Sequence, residues 1–401
     1  MQLFDDRARD SLRPKNESES TFDYYNQSAR PSIVELREIL ESWFSRYPES
    51  AKKNLCTRFM SPKYYQHAGA FFEIYTHELL LRVGYEVDIE PAVGTMATRP
   101  DFLVKLGGQP RFLVEATLAG VPSEQKQGAD ARIGVVYDKL NGLDSPNFFL
   151  EIQREGTPTT TPPTRKLLSE LSKWLASLDP DALQASYISG DYDKLPVYRW
   201  QHEGWDLVFT PIPKSPELRG KTGVRPIGID FPGAEWLNTH RSICAAIDRK
   251  TKKYGQLAFP YVVAINVLED SCNNIDIMNG LYGKETLAIS VSSDGRVETR
   301  AAQRKRNGAW FGPNGPRNQQ VSAVLIATQI HPWRMSRVTP ELYHNPWAEY
   351  ALPSSAFPLP QCIPDIEAGR VSHEPGQQAG NILGIPSPWP LPDAGGTNTG
   401  C

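Results

Sequence analysis

Glu73, Asp101 and Glu115 are the residues of this chain best suited to chemistry, because all three fall between Ala70 and Thr117, where an amphipathic helix and two apolar strands can converge. The helix reads Phe71-Phe72-Glu73-Ile74-Tyr75-Thr76-His77-Glu78-Leu79-Leu80-Leu81-Arg82-Val83, and Gly84 stops it before the strand-like Tyr85-Glu86-Val87-Asp88-Ile89. At 100° per residue His77 lies about 40° around the helix from Glu73, and Glu78 about 140° away. Glu73 and His77 therefore share a face that Glu78 does not. A lone histidine on a helix more often packs or hydrogen-bonds than catalyses, so His77 ranks behind the carboxylates.

Two apolar runs follow, Pro100 to Val104 and Arg111 to Thr117, and Gly107-Gly108 between them suits a tight hairpin turn. Pairing in that hairpin brings Asp101, at the start of one strand, to Glu115, near the end of the other. Two carboxylates a few Å apart resist joint ionisation unless a cation sits with them, and hard oxygen donors suit Mg²⁺ or Mn²⁺. A metal-dependent phosphodiester hydrolase uses such an arrangement. The plainer alternative makes Asp101 a turn residue, Glu115 an edge cap and Glu73 a solvated helix position. Against it, Glu115 follows a largely apolar run, an unusual place for an idle charge.

At these residues the chain resembles the PD-(D/E)XK nuclease superfamily, and the segment Phe71-Phe72-Glu73 with Leu79-Leu80-Leu81-Arg82-Val83-Gly84-Tyr85 is similar to the corresponding helix of Mrr-like restriction endonucleases. The Pro-Asp pair is Pro100-Asp101, the next acid is Glu115 and the helix acid is Glu73. Where the family has Glu-X-Lys, this chain has Glu115-Ala116-Thr117. Some superfamily members supply that lysine from a neighbouring helix, and Lys126 and Lys250 are the candidates, Lys126 being nearer in the chain. The resemblance implies a restriction-endonuclease-like α/β fold, a mixed central sheet flanked by helices with a large inserted or appended β-rich region. It also implies Mg²⁺ or Mn²⁺ held by Asp101 and Glu115, with Glu73 joining directly or through water, and a nucleic-acid substrate, DNA before RNA. Defence against foreign DNA fits it, and a homodimer stays open. The rival is a nuclease fold that has lost catalysis and serves as a nucleic-acid-binding or scaffolding subunit, for which the missing lysine argues.

The 401 residues, 40% of them hydrophobic, are enough for a large core and for two or three domains. No run of eighteen apolar residues occurs and the first thirty positions are polar, so neither a membrane span nor a secretory leader is expected, and the cytoplasm is. Five scattered cysteines without C-x-x-C spacing argue against a zinc site and against a disulfide framework. With a net charge of -3, any nucleic-acid contact must be local. Lys250 and Lys253 in Arg249-Lys250-Thr251-Lys252-Lys253, and Arg304-Lys305-Arg306 beside Trp310 and Phe311, could supply phosphate contact and base stacking. The alternative for each run is a solvated face.

In chain order, residues 1–30 read as a polar arm, mobile or laid along the surface. Residues 31–156 read as the nuclease-like core, opening with a helix whose stripe is Ile33, Leu36, Leu40, Trp43 and Phe44. Lys52 to Gly69 reads as irregular. The helix and strand that must complete the core have two candidates, Gln125–Leu140 with Asn147–Ile152, and Thr239–Tyr254 with the all-apolar Tyr261–Val267. The second is favoured, because a strand buried on both faces is apolar throughout. Residues 157–235 form an insertion: a Thr/Pro-rich loop, a helix from Arg165 to Leu178, and a small antiparallel sheet from Val197 to Phe231. Gly220-Lys221-Thr222 fails as a phosphate loop, since Ser215 stands where its first glycine belongs and Pro226 where a helix should follow. Residues 236–352 complete or extend the core, with strands at Thr286–Val291, Val321–Gln329 and Leu342-Tyr343, and 353–401 is a Pro/Gly-rich tail.

Overall fold

A computed structural model describes residues 1–93, 97–221, 223–232, 238–286, 289–291, 297–299, 303–367, 370–386 and 388–390. The chain forms two compact units, Met1–Arg13, Ser20–Val121 and Leu237–Cys401 in the first, Pro14–Glu19 and Pro122–Trp236 in the second.

The first unit begins with α1 (Thr21–Gln27), α2 (Pro31–Ser45), α3 (Glu49–Phe59), α4 (Tyr64–Val83), β1 (Glu86–Ile89), β2 (Phe102–Leu106) and β3 (Gln109–Ala119). The second unit then contributes α5 (Glu124–Asn141), β4 (Phe148–Glu155), α6 (Thr164–Ala176), α7 (Pro180–Ser189), β5 (Tyr198–His202), β6 (Trp205–Pro213) and β7 (Ile227–Pro232). Back in the first unit come α8 (Thr239–Thr251), β8 (Tyr261–Val267) and α9 (Asn274–Tyr282), followed by the short strands β9 (Glu285–Thr286), β10 (Ile289–Val291), β11 (Val297–Thr299), β12 (Gln303–Arg304), β13 (Phe311–Gly312) and β14 (Gly315–Pro316). The last elements are β15 (Ala323–Thr328), β16 (Glu341–His344), β17 (Gln361–Asp365), β18 (Arg370–Glu374) and α10 (Ala379–Leu383).

One mixed sheet organises the first unit, in the order β1-β2-β3-β8-β15-β16-β17-β18. The strands β1, β2 and β3 form an antiparallel meander, and β8 lies parallel to both β3 and β15. The turn between β2 and β3 takes Gly107 and Gly108 at φ 59° and 74°, which only glycine adopts without strain. Gly84 ends α4 in the left-handed region at φ 102°. Every residue of β8 is buried, and its side chains alternate between two cores. Val262 and Ala264 pack in the same core as the buried side chains of α2, α3 and α4, whereas Val263 and Ile265 pack with Ile243 and Ile247 of α8 and Leu281 of α9. Helices thus cover both faces of the sheet.

The second unit holds a four-stranded sheet in the order β5-β6-β4-β7, in which β4 runs antiparallel to β6 and parallel to β7. Its own core joins Ile133, Val136 and Leu140 of α5 and Leu167 and Leu171 of α6 to Trp205, Leu207 and Phe209. Of the two candidate helix–strand pairs, α8 with β8 completes the main sheet, and β4 belongs to the other one. The break expected near residue 156 accordingly falls at Val121.

Three stretches are more ordered than their sequence patterns suggest. The N-terminal arm folds back, burying Leu3, Phe4, Phe22, Tyr24 and Tyr25, with the Phe4 and Phe22 rings stacked at 5.8 Å. The start of the stretch from Lys52 to Gly69, read as irregular, belongs to α3 (Glu49–Phe59), whose charged surface hides a narrow buried stripe of Leu55, Cys56 and Phe59. The Pro/Gly-rich tail adds β17 and β18 to the sheet and buries Trp389, which donates from Nε1 to the Pro332 carbonyl at 2.8 Å. Edge pairing that tolerates Pro364 and a few large anchors suffice there, without periodicity.

Candidate functional site

Glu73 sits on α4, which is buried along most of its length. Its Oε1 accepts from the Tyr47 hydroxyl at 2.7 Å, and its Oε2 pairs with Arg58 Nη2 at 2.7 Å. His77 does share this face, its ring lying 4.7 Å from Tyr47 and 5.9 Å from Phe102. Burial first, and Arg46 next, pull its pKa down to about 4, so it is a neutral packing residue at pH 7. Glu78 turns elsewhere and is held by Arg46 at 2.9 Å and Arg82 at 2.7 Å.

The hairpin aligns Phe102 with Val114, and the two acids flank that pair. The Asp101 N–H donates to Glu115 Oε2 at 3.2 Å, and the Ala116 N–H donates to Asp101 Oδ2 at 2.8 Å. The two residues are thus neighbours in the hairpin, each carboxylate accepting from a backbone N–H at or beside the other residue. Glu115 is only 1% exposed, yet it is heavily solvated by protein groups. Lys250 Nζ lies 2.5 Å and Lys253 Nζ 3.0 Å from its Oε1, and the Tyr254 hydroxyl donates to Oε2.

These donors arrive together because α8 packs on the sheet and its last turn carries Lys250, while Lys253 and Tyr254 follow in the bend leading to β8, the strand beside β3. Tyr254 is fixed edge-on against Tyr261 at 5.8 Å. The Tyr261 hydroxyl is buried with no hydrogen-bond partner among the described residues. A buried orphan hydroxyl is unusual. Burial, then Glu115 and Asp101, push Tyr261 far above its ordinary range.

Asp101 is the electrostatic weak point. Burial, then Glu115, then Glu73 push its pKa well above the ordinary aspartate value, opposed by the Ala116 N–H and Lys250. Among the described residues no cationic side chain pairs with it directly. Hard oxygen donors with an unmatched carboxyl fit a divalent cation of the Mg²⁺ class at Asp101 and Glu115. Glu73 fits less well, since Tyr47 and Arg58 occupy its oxygens and, among the described residues, the three carboxylates do not gather within 4.8 Å of one another. A water-mediated role suits Glu73 better than direct ligation.

Of the two candidate lysines, Lys250 meets Glu115 and Lys126 does not share its unit. Lys126 lies in the first turn of α5, where its N–H donates to Ser123 Oγ at 3.3 Å, and it lines a groove of about 1110 Å³ with Arg132, Arg154 and Arg199. Lys250 and Lys253, assigned from sequence to phosphate contact, are committed to Glu115. Arg304, though exposed, donates to the Gly283 carbonyl at 2.8 Å beyond the end of α9. Lys305 is exposed, Arg306 lies 5.6 Å over the Phe311 ring, and Trp310 is fully buried, so base stacking on Trp310 is ruled out in this conformation. Thr222, and residues 287 and 288 of the strand expected at Thr286–Val291, lie outside the described residues.

A scan against protein-family models, a search of curated proteins and a search of solved structures each returned no match for this chain. Sequence reasoning missed Tyr47, Arg58 and Tyr254. Tyr254 was within reach, since it precedes the strand that pairs with β3; Tyr47 and Arg58 depend on how α2 and α3 pack, which no local pattern encodes.

Proposed function

We propose that the first unit is a metal-dependent nuclease with a restriction-endonuclease-like core, acting on DNA, with RNA as the alternative substrate. The observation that carries this reading is the Lys250 ammonium on Glu115 beside Asp101, which fills the role left empty at Thr117. The order of α4, the β1-β2-β3 meander, α8 and β8 supports the same core.

Asp101 and Glu115 would hold Mg²⁺ or Mn²⁺, which supplies Lewis acidity and an activated water for phosphodiester attack. Lys250 and Lys253 place two positive charges where negative charge develops on the phosphate, in surroundings that strengthen electrostatic stabilisation. Asp101 must release its proton before it can ligate, so its raised pKa makes cation binding and deprotonation one coupled event. Tyr254 holds Glu115 in a fixed orientation, and Arg58 and Tyr47 do the same for Glu73.

A specific observation favours a second reading, a binding subunit without catalysis: four donors, the Asp101 N–H among them, already occupy both oxygens of Glu115. Incubating the protein with plasmid DNA and with RNA, in Mg²⁺, Mn²⁺ or EDTA, separates the two. Cleavage that needs the cation and disappears in Asp101→Asn supports the nuclease; binding without cleavage under every condition supports the subunit.

A further inference from the structure

At the far end of the main sheet, three adjacent strands bring Glu341 of β16, Cys362 of β17 and His373 of β18 to one point. Cys362 pairs with His373 across the ladder, and Tyr343, two residues after Glu341, pairs with Cys362. The Cys362 Sγ lies 3.1 Å from His373 Nδ1 and 3.1 Å from Glu341 Oε1, and His373 Nδ1 lies 3.5 Å from the same Glu341 oxygen. Among the described residues this is the one group of three such donors gathered within 4.8 Å.

We propose that Glu341, Cys362 and His373 form a zinc site with a fourth position open to solvent. The spacing is close to what the ion requires: zinc bond lengths of about 2.0 to 2.3 Å in a tetrahedron place neighbouring ligand atoms roughly 3.3 to 3.8 Å apart. A thiolate, an imidazole and a carboxylate are the donor types zinc takes, whereas Mg²⁺ refuses sulfur. The carboxylate is oriented from behind, its other oxygen accepting from the Tyr343 hydroxyl at 2.6 Å, as outer partners of metal ligands commonly do. Cys362 is fully buried on the inner side, and His373, about half exposed, leaves the outer side to water.

The same residues do not make a nucleophilic triad. Such a relay needs the thiol and the carboxylate on opposite ring nitrogens, and here both face Nδ1. The thiol is also sealed from substrate. Three donors converging on one point, instead of lying in a line, is the geometry of ligation.

The test uses the full chain, freed of metal by a chelator and titrated with Zn²⁺ and with Co²⁺ as a spectroscopic stand-in. The wild type is expected to take up one Zn²⁺ per chain in competition with a chromophoric chelator, and Co²⁺ to give a near-ultraviolet thiolate charge-transfer band. Cys362→Ser should abolish that band, and His373→Ala and Glu341→Gln should each weaken Zn²⁺ binding at least tenfold. Circular dichroism checks folding, and because His373 is half exposed, His373→Ala carries the test if Cys362→Ser fails to fold. Absence of Zn²⁺ uptake by the wild type, or affinity unchanged in both His373→Ala and Glu341→Gln, overturns the proposal.

Discussion

Lys250 and Glu115 stand 135 residues apart in the chain and 2.5 Å apart in the structure. The contact spans the whole second unit, because the chain leaves the main sheet after β3 and returns only at α8. If this lysine serves the chemistry, Lys250→Ala should lower DNA cleavage about a hundredfold or more, the scale of one lost electrostatic donor, with DNA binding near normal. Lys126→Ala should keep its cleavage. Gel-based cleavage rates at saturating Mg²⁺ decide the matter, and a wild-type rate in Lys250→Ala removes the lysine from the mechanism.

The acidic half of the site was legible in the sequence because it is local. A helix stopped by glycine, a Gly-Gly turn and two apolar runs place Asp101 against Glu115 with no knowledge of the remaining fold. The cationic half was legible only as a pair of alternatives, since chain proximity favoured Lys126 while the apolar β8 favoured α8 as the completing helix. The second signal is the stronger one physically: a strand buried on both faces must sit inside the sheet, and it draws its preceding helix with it. Arg304 shows the opposite failure. A run of basic residues gives no sign that one of them is capping carbonyls beyond a helix end.

Asp101 should make stability fall as pH rises. An acid whose folded pKa is raised binds more protons folded than unfolded, so from about pH 4, the ordinary aspartate value, up to its folded pKa the native state loses stability with increasing pH. Asp101→Asn removes this slope while keeping an acceptor for the Ala116 N–H. In metal-free buffer the variant should therefore match the wild type at low pH and exceed it near pH 7. Urea melts across that range are the measurement, and parallel curves would assign Asp101 an ordinary ionisation.

Metal should reverse that order. At a hundredfold excess over its dissociation constant, Mn²⁺ is expected to stabilise the wild type by about 2.7 kcal/mol. The double variant Asp101→Asn, Glu115→Gln should show no response. Thermal melts with and without millimolar Mn²⁺ read this directly, and an unmoved wild-type midpoint removes the cation from this pair.

The basic run near α9 should divide by residue. Arg304 donates to the Gly283 carbonyl and reaches Glu285 at 3.4 Å, so Arg304→Ala is expected to cost about 1 kcal/mol in stability and to leave the salt dependence of DNA binding unchanged. Lys305→Ala should do the reverse, reducing the log-log salt slope by about 0.9 if the side chain neutralises one phosphate. Fluorescence titrations from low to moderate salt, with a urea melt of each variant, distinguish the two. A flattened slope in Arg304→Ala alone would mean that its hydrogen bonds to the end of α9 break on binding.

Glu73 poses the final choice between ligand and brace. Removing its carboxylate in Glu73→Ala strands the Arg58 guanidinium and the buried Tyr47 hydroxyl, and with Arg58 itself 38% exposed the expected cost is about 2 to 3 kcal/mol. Glu73→Gln keeps an acceptor for either partner and should cost less, so it is the variant in which catalysis can be read. If Glu73 orients a water on the cation, Glu73→Gln should slow cleavage about 10- to 100-fold and shift the Mn²⁺ concentration needed for half-maximal activity upward, as loss of an outer-sphere partner does. A structural brace predicts lower stability with unaltered Mn²⁺ dependence. Because the two readouts are independent, cleavage titrated against Mn²⁺ at a temperature where both proteins stay folded separates them, and an unchanged half-maximal concentration confines Glu73 to holding α3 and α4 together.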